Sequence, residues 1–204
     1  MRRLPRRLLL ALTTFVLAAA AAAVAAQPAH ADPVIDLNFA NVTGTTYLAK
    51  PRVTAVIPQS TITTKLDLGT GQLTGQAKIP DLTVHLALLN FVKVTSTVSI
   101  VPAGDLTGTV DLAAGKLSTT TRFTIAVRNV HLDATPGINL VPSGCRTRRA
   151  TSAVLTNTTP IDLFGGTTVS GTYTTPSFTH CGLTTPLLTQ LLAGPANVLT
   201  LTLK

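Results

Sequence analysis

Apolar residues recur at every second position along most of this chain. Ile35, Leu37 and Phe39 alternate with Asp36 and Asn38, the period of a strand with one buried face. Thr43-Gly44-Thr45-Thr46-Tyr47-Leu48 continues that strand past a bulge, which an internal glycine often marks. Pro51 and Pro58 bracket residues 53–57, a piece expected at a sheet edge because proline donates nothing to a ladder. Ile62, Thr64, Leu66 and Leu68 alternate up to Gly69-Thr70-Gly71, and Leu73, Gly75, Ala77 and Ile79 alternate away from it. Two such runs around a glycine turn predict a β-hairpin. Asp67 stands just before the turn, where its carboxylate can accept turn N–H groups.

The same skeleton, apolar-Asp-Leu-x-x-Gly-x-Leu, returns from Val110-Asp111-Leu112 through Gly115 to Leu117. This is a repeated hairpin within one domain, since two copies are too few for a solenoid. Between the copies Leu82, Val84, Leu86 and Leu88 share a face. Val92, Val94, Val98 and Ile100 share another, opposite Lys93, Thr95, Thr97 and Ser99. The connection Leu88-Leu89-Asn90-Phe91 is apolar and is expected to cap the core. Leu117, Phe123, Ile125 and Val127 then face away from Arg122, Thr124 and Arg128. Further strands are expected around Val154-Leu155, over residues 167–174 and through Leu199, Leu201 and Leu203. The one helix begins with Thr185 as cap and Pro186 in its first turn, ends at Gly194, and carries a stripe of Leu187, Leu188, Leu191 and Leu192, following the usual start and stop signals. The pattern predicts an all-β fold of about ten to twelve short strands with one short C-terminal helix, either an antiparallel β-sandwich or a closed β-barrel. Spacing alone does not separate the two.

Composition strengthens the strand reading. The chain is rich in Thr, Val, Leu and Ile and contains neither Glu nor Trp; branched side chains suit a half-buried pleated surface. At the N-terminus Arg2, Arg3, Arg6 and Arg7 precede an apolar run over residues 8–26 and the small-x-small site Ala29-His30-Ala31. Residues 1–31 therefore read as a cleaved secretory signal and residues 32–204 as a single β-domain. No later apolar stretch is long enough to cross a bilayer, so the mature form is expected to be secreted and not membrane-spanning. The leader arginines account for half of the net charge of +8. Export also favours a disulfide between the two cysteines, Cys145 and Cys181.

Candidate chemistry is sparse. His85, His131 and His180 are far apart in the chain, without metal-ligand spacing. No nucleophile elbow and no glycine loop between a strand and a helix occurs, and no cofactor is implied. Asp67 and Asp111 are the obvious carboxylate pair for hydrolysis, but their turn positions already explain them. Aromatic residues are too few for a nucleic-acid stacking platform. Arg146, Arg148 and Arg149 form the one dense charge cluster. They are candidates for contact with an anionic cell-wall polymer or lipid, against the plainer reading of a solvated loop. Recurrent Thr-x-Thr pairs read as outward strand threonines.

The segment Gly171-Thr172-Tyr173-Thr174-Thr175-Pro176-Ser177-Phe178-Thr179-His180-Cys181-Gly182, the stretch Thr43 to Pro51, the two Asp-Leu-x-x-Gly-x-Leu turns and the Leu-rich 186–194 run together carry a resemblance. The chain resembles a family of actinobacterial secreted all-β proteins of uncharacterised activity. That resemblance implies an exported β-domain with one disulfide and adds nothing about chemistry. The expectation is a non-enzymatic structural or interaction module at the cell envelope. Its alternatives are a carrier of a lipid or other apolar small molecule in the domain interior and, third, a hydrolase.

Overall fold

Alternation around Asp67 and Asp111 produces the two hairpins from which the sheet grows. The computed structural model describes residues 33–88, 92–162 and 165–204; the expected signal at 1–31 and the apolar connection at 89–91 lie outside the described residues. β1 (Val34–Leu48) and β2 (Val53–Asp67) pair along nearly their whole length, and β2 turns into β3 (Gln72–Lys78). β4 (Leu82–Leu88) and β5 (Val92–Pro102) form a further antiparallel pair, and β6 (Leu106–Asp111) turns into the long β7 (Lys116–Leu132). After β8 (Arg146–Thr147) come β9 (Thr151–Asn157), β10 (Thr167–Thr175), β11 (Phe178–Thr179), a 3-10 turn at Gly182–Thr184, α1 (Thr185–Leu192) and β12 (Gly194–Leu203).

The order β7-β6-β3-β2-β1-β12-β10-β9 returns to β7, so eight antiparallel strands close a barrel. Of the two expected architectures, the barrel is the one formed. Closure depends on β7. It holds β6 on one edge over residues 116–120 and β9 on the other over residues 118–123. Beyond Phe123 its partners become β5 and β8. The barrel thus has a lower half, at the β2–β3 and β6–β7 turns, and an upper half, at the β1–β2 turn, where β5 and β4 complete the wall. β4 lies against β2 without sharing a ladder.

Inward positions form one apolar core that includes Ile57, Leu66, Leu82, Val127 and Leu155, all almost fully buried. Outward positions carry hydroxyls instead. Thr43 and Thr45 on β1 pair with Thr202 and Thr200 on β12, which pair in turn with Thr168 and Ser170 on β10. Membrane-spanning barrels show the opposite arrangement, an apolar outer band. The repeated turns share one cause: Gly71 and Gly115 occupy matching places in the skeleton and both take left-handed φ angles, 68° and 62°, which glycine adopts without a Cβ penalty.

Four local expectations change. Residues 53–57 are not a separate strand, because β2 runs through Pro58, but they pair with β1 alone, while β3 joins β2 only from Thr61 onward, so the expected edge is there. The proline is tolerated because the β1–β2 register shifts there, between the pairs Val42–Ser60 and Gly44–Ile57. On β5 Ser96 shares the inward face with Val98 and Ile100 as the alternation requires, and the departure is Ser99 on the opposite face, which is buried and donates to Asp81 Oδ1 at 2.6 Å. Thr185 is the first residue of α1 and not its cap. Its hydroxyl serves the preceding turn, donating to Gly182 O (2.8 Å) and accepting from Cys181 N (3.1 Å). Gly194 opens β12, and Ala193 ends the helix.

Candidate binding cavity

Closing a sheet of alternating side chains leaves an interior that must be filled by those chains or left open. Here the upper half is underfilled. A cavity of about 90 Å³ lies between β4 (Val84, Leu86), β5 (Val98, Ile100), β7 (Phe123, Ile125) and Leu192 of α1. Below it is a second space of about 40 Å³. Ile62, Leu106, Leu155 and Leu201 border both, so the two are stacked in the barrel.

The walls contain a few polar groups, each held by a neighbour. Tyr173 enters the upper cavity from β10 and meets Phe123 edge-on, with ring centroids 5.6 Å apart. Its hydroxyl shares a 2.8 Å hydrogen bond with Thr46 Oγ1. Burial pushes the Tyr173 phenol above its ordinary pKa, and the bond to Thr46 opposes this in part. Asn197 braces the upper rim: it accepts from Ala49 N (2.9 Å) and donates to Thr175 Oγ1 (2.9 Å) and Gly194 O (3.1 Å). In the lower space one hydroxyl is left over. Thr167 Oγ1 is buried without a hydrogen-bond partner, alone in this among the described residues. A buried hydroxyl without a partner costs stability, and a space of this size holds water or a small polar group that would satisfy it. Nothing in the local sequence marks Thr167, which reads as one more strand threonine.

The cavity is closed above by the disulfide-bonded segment. Cys145 and Cys181 are bonded, fully buried, and have their Cα atoms 4.3 Å apart. The bridge holds β8 beside β11, where Thr147 pairs with Phe178 and Arg146 with Thr179. Phe178 and Leu192 reach from this segment into the cavity wall, and Phe178 N donates to Thr189 Oγ1 at 3.0 Å. Arg146, Arg148 and Arg149 all lie exposed on this segment, so the three arginines share the upper end of the barrel.

Asp67 and Asp111 are brought together at the opposite end. Val110 N donates to Gly71 O at 2.8 Å, which sets the hairpin tips side by side. Asp67 Oδ1 accepts from Gly69 N (2.9 Å) and Thr70 N (3.0 Å). The Thr70 amide chiefly, with a smaller contribution from Gly69, holds its pKa below the ordinary carboxylate value. Asp111 Oδ1 accepts from Ala114 N at 2.8 Å. Both carboxylates therefore do what their turn positions predict.

The histidines do not converge. Thr95 Oγ1 donates to Asp133 Oδ1 at 2.7 Å, so it accepts from His85 Nδ1 at 2.9 Å. This chain of three was not foreseen, because Asp133 lies far from the β4–β5 pair in sequence. It runs over the outer surface and faces no cavity, and it gives the threonine proton to the carboxylate. His131 Nδ1 lies 2.9 Å from Asn129 O, and His180 is exposed. Among the described residues no three His, Cys, Asp or Glu side chains could hold a metal ion.

No family profile, curated protein or solved structure matches this chain. Fold and cavity define its class: a closed antiparallel β-barrel with an apolar interior space, carrying one disulfide at its upper end.

Proposed function

We propose that this protein carries an apolar small molecule, a lipid chain or similar group, inside its barrel. The observation that supports the reading is the stacked pair of interior spaces, the upper of about 90 Å³ with an almost wholly apolar wall. Apolar cavities that stay dry take up apolar guests. As it stands, the upper space fits a short apolar group; drug-sized ligands occupy several hundred Å³. A longer chain enters by displacing the wall where β4 rests on β2 without hydrogen bonds. Tyr173 and Thr46 supply a hydroxyl pair beside which a ligand's polar atom can sit. Neither the turn-bound aspartates nor the surface His85–Thr95–Asp133 chain offers a reaction centre next to this space, so the reading is of binding and not of catalysis. The resemblance to a secreted family brings no chemistry that bears on the choice.

The test is the native mass of the protein purified from the medium of cells that secrete it. Added ligand mass is expected, and protein stripped of it should take up an apolar fluorescent probe. Ala77 lines the upper cavity, so Ala77→Phe should fill the space and reduce probe uptake severalfold while circular dichroism stays unchanged. A bare polypeptide mass together with no probe uptake by the stripped protein would overturn the reading.

A further inference from the structure

The two ends of the barrel differ in charge. Pairing of Val34 with Asp67 marks the lower end, and pairing of Leu48 with Val53 marks the upper. Asp36, Asp67, Asp111 and Asp162 belong to the lower end, among Lys65, Lys116 and Lys204. The upper end carries Lys50 and Arg52 in the β1–β2 turn, Lys93 at the start of β5, Arg128 on the far half of β7, and the three arginines that follow Cys145. Against these cations the upper half holds two described carboxylates, Asp133, which accepts from Thr95, and Asp81, which accepts from Ser99. Lys50 Nζ reaches across to Gln190 O at 2.8 Å, which places the cationic turn against α1.

The same end holds Leu183, the most exposed aliphatic side chain among the described residues, with three others beside it; the remaining exposed aliphatics include Val34, Leu68 and Leu112 at the lower end and Val56, Val101 and Val154 on the wall. Leu183 is 101% exposed, Ile138 60%, Leu187 50% and Leu140 38%. They sit on two neighbouring segments, the loop before Cys145 and the turn into α1, joined by the disulfide, with Thr184 Oγ1 3.5 Å from Leu140 O. Leu183 is held outward by a braced turn: Thr184 Oγ1 also lies 2.7 Å from Cys181 O, and Thr185 Oγ1 donates to Gly182 O at 2.8 Å. Fixed aliphatic tips gain by leaving water, and a basic surroundings gains from anionic head groups over a screened, short range.

We infer that the α1 end of the barrel docks on an anionic lipid surface, with Leu183 and its neighbours entering the lipid and the surrounding lysines and arginines lying against the head groups. The partner follows from the combination of features. A soluble or wall-bound polyanion would use the cations and leave the leucines in water. A lipid surface uses both. α1 also closes the cavity through Leu192, so docking sets the cavity's cover against a source of apolar chains. The inference rests on the carrier reading for its purpose, and on the charge distribution and exposed leucines for its evidence.

The experiment is co-sedimentation of the secreted protein with vesicles of phosphatidylcholine alone and of phosphatidylcholine with about a third phosphatidylglycerol. Binding is expected to the anionic vesicles, to be weaker on neutral ones, and to fall as salt rises. Leu183→Asp should lower binding to anionic vesicles about tenfold or more, because it replaces an entering side chain with a charge that head groups repel. The side chain is fully exposed, so the thermal melt of that variant should match wild type. Arg146→Glu with Arg148→Glu should weaken binding and flatten its salt dependence, whereas Lys116→Glu at the lower end should leave it unchanged. Failure of the wild type to bind anionic vesicles would overturn the inference. So would equal binding by Leu183→Asp, which would leave plain attraction to polyanions. Leu183 does not line the cavity, so this variant should keep its native ligand mass. Lost docking with retained ligand supports the inference, while intact docking by a protein that never carries ligand defeats the carrier reading alone.

Discussion

Tyr173 and Thr46 satisfy each other inside an otherwise apolar wall, and this pair sets what a single substitution does. Tyr173→Phe leaves the Thr46 hydroxyl buried with its partner gone, which should cost about 1–3 kcal/mol. Adding Thr46→Val removes the stranded hydroxyl and should recover part of that loss. A double-mutant cycle read by urea unfolding checks the pair. The phenol also predicts a pH effect. Burial raises its pKa in the folded protein, so its contribution to stability is present below the unfolded value of about 10 and is lost as pH climbs through the folded value. Melts between about pH 9 and 11 should therefore fall more steeply for wild type than for Tyr173→Phe. Parallel curves would show that the phenol does not feel the burial described here.

Among the elements, β8, β11 and α1 have the weakest independent means of staying in place. β8 and β11 are two residues each, and α1 buries only Leu188 fully. The Cys145–Cys181 bridge supplies what short strands cannot. A loop of this length gives roughly 3–4 kcal/mol by the chain-entropy argument. Replacing both cysteines with serine should lower global stability by about that much and should speed hydrogen exchange first in residues 140–148 and 178–192. An unchanged melt would mean that the barrel alone holds these elements. The bridge was readable from two cysteines in a chain whose first residues read as an export signal, and most strands were readable because inward residues alternate whatever the sheet goes on to do. Closure was not readable. It depends on β7 holding β6 and β9 over overlapping residues, and the alternation of Leu117, Phe123 and Ile125 is identical in a sandwich. The cap of α1 was misread for a related reason: Thr184 and Thr185 are alike in sequence, and only the fold of the Cys181 turn decides which one enters the helix.

At the scale of the whole molecule, neither the cavity nor the separation of charge is a property of any short stretch. Asp67 and Asp111 are matching turn residues of one repeated skeleton, but only the pairing of β3 with β6 sets their tips side by side, and empty volume between strands leaves no mark on composition. The same assembly determines where the barrel can open. In the lower half every strand has ladder partners on both sides, whereas β4 pairs with β5 alone and turns its other edge to β2. Local opening is easiest where the fewest hydrogen bonds must break together. Amides of β4 should accordingly exchange faster than those of β12 over residues 198–202, where it is paired with both β1 and β10. A guest in the upper cavity touches Leu82, Val84 and Leu86, and a ligand bound to the closed form stabilises that form against opening. Saturation with an apolar probe should then slow exchange in β4 and leave the lower hairpin tips, residues 67–71 and 111–115, unaffected. If β4 already exchanges as slowly as β12 without the probe, the β2–β4 seam is not where the wall parts, and a long chain would have to enter past α1.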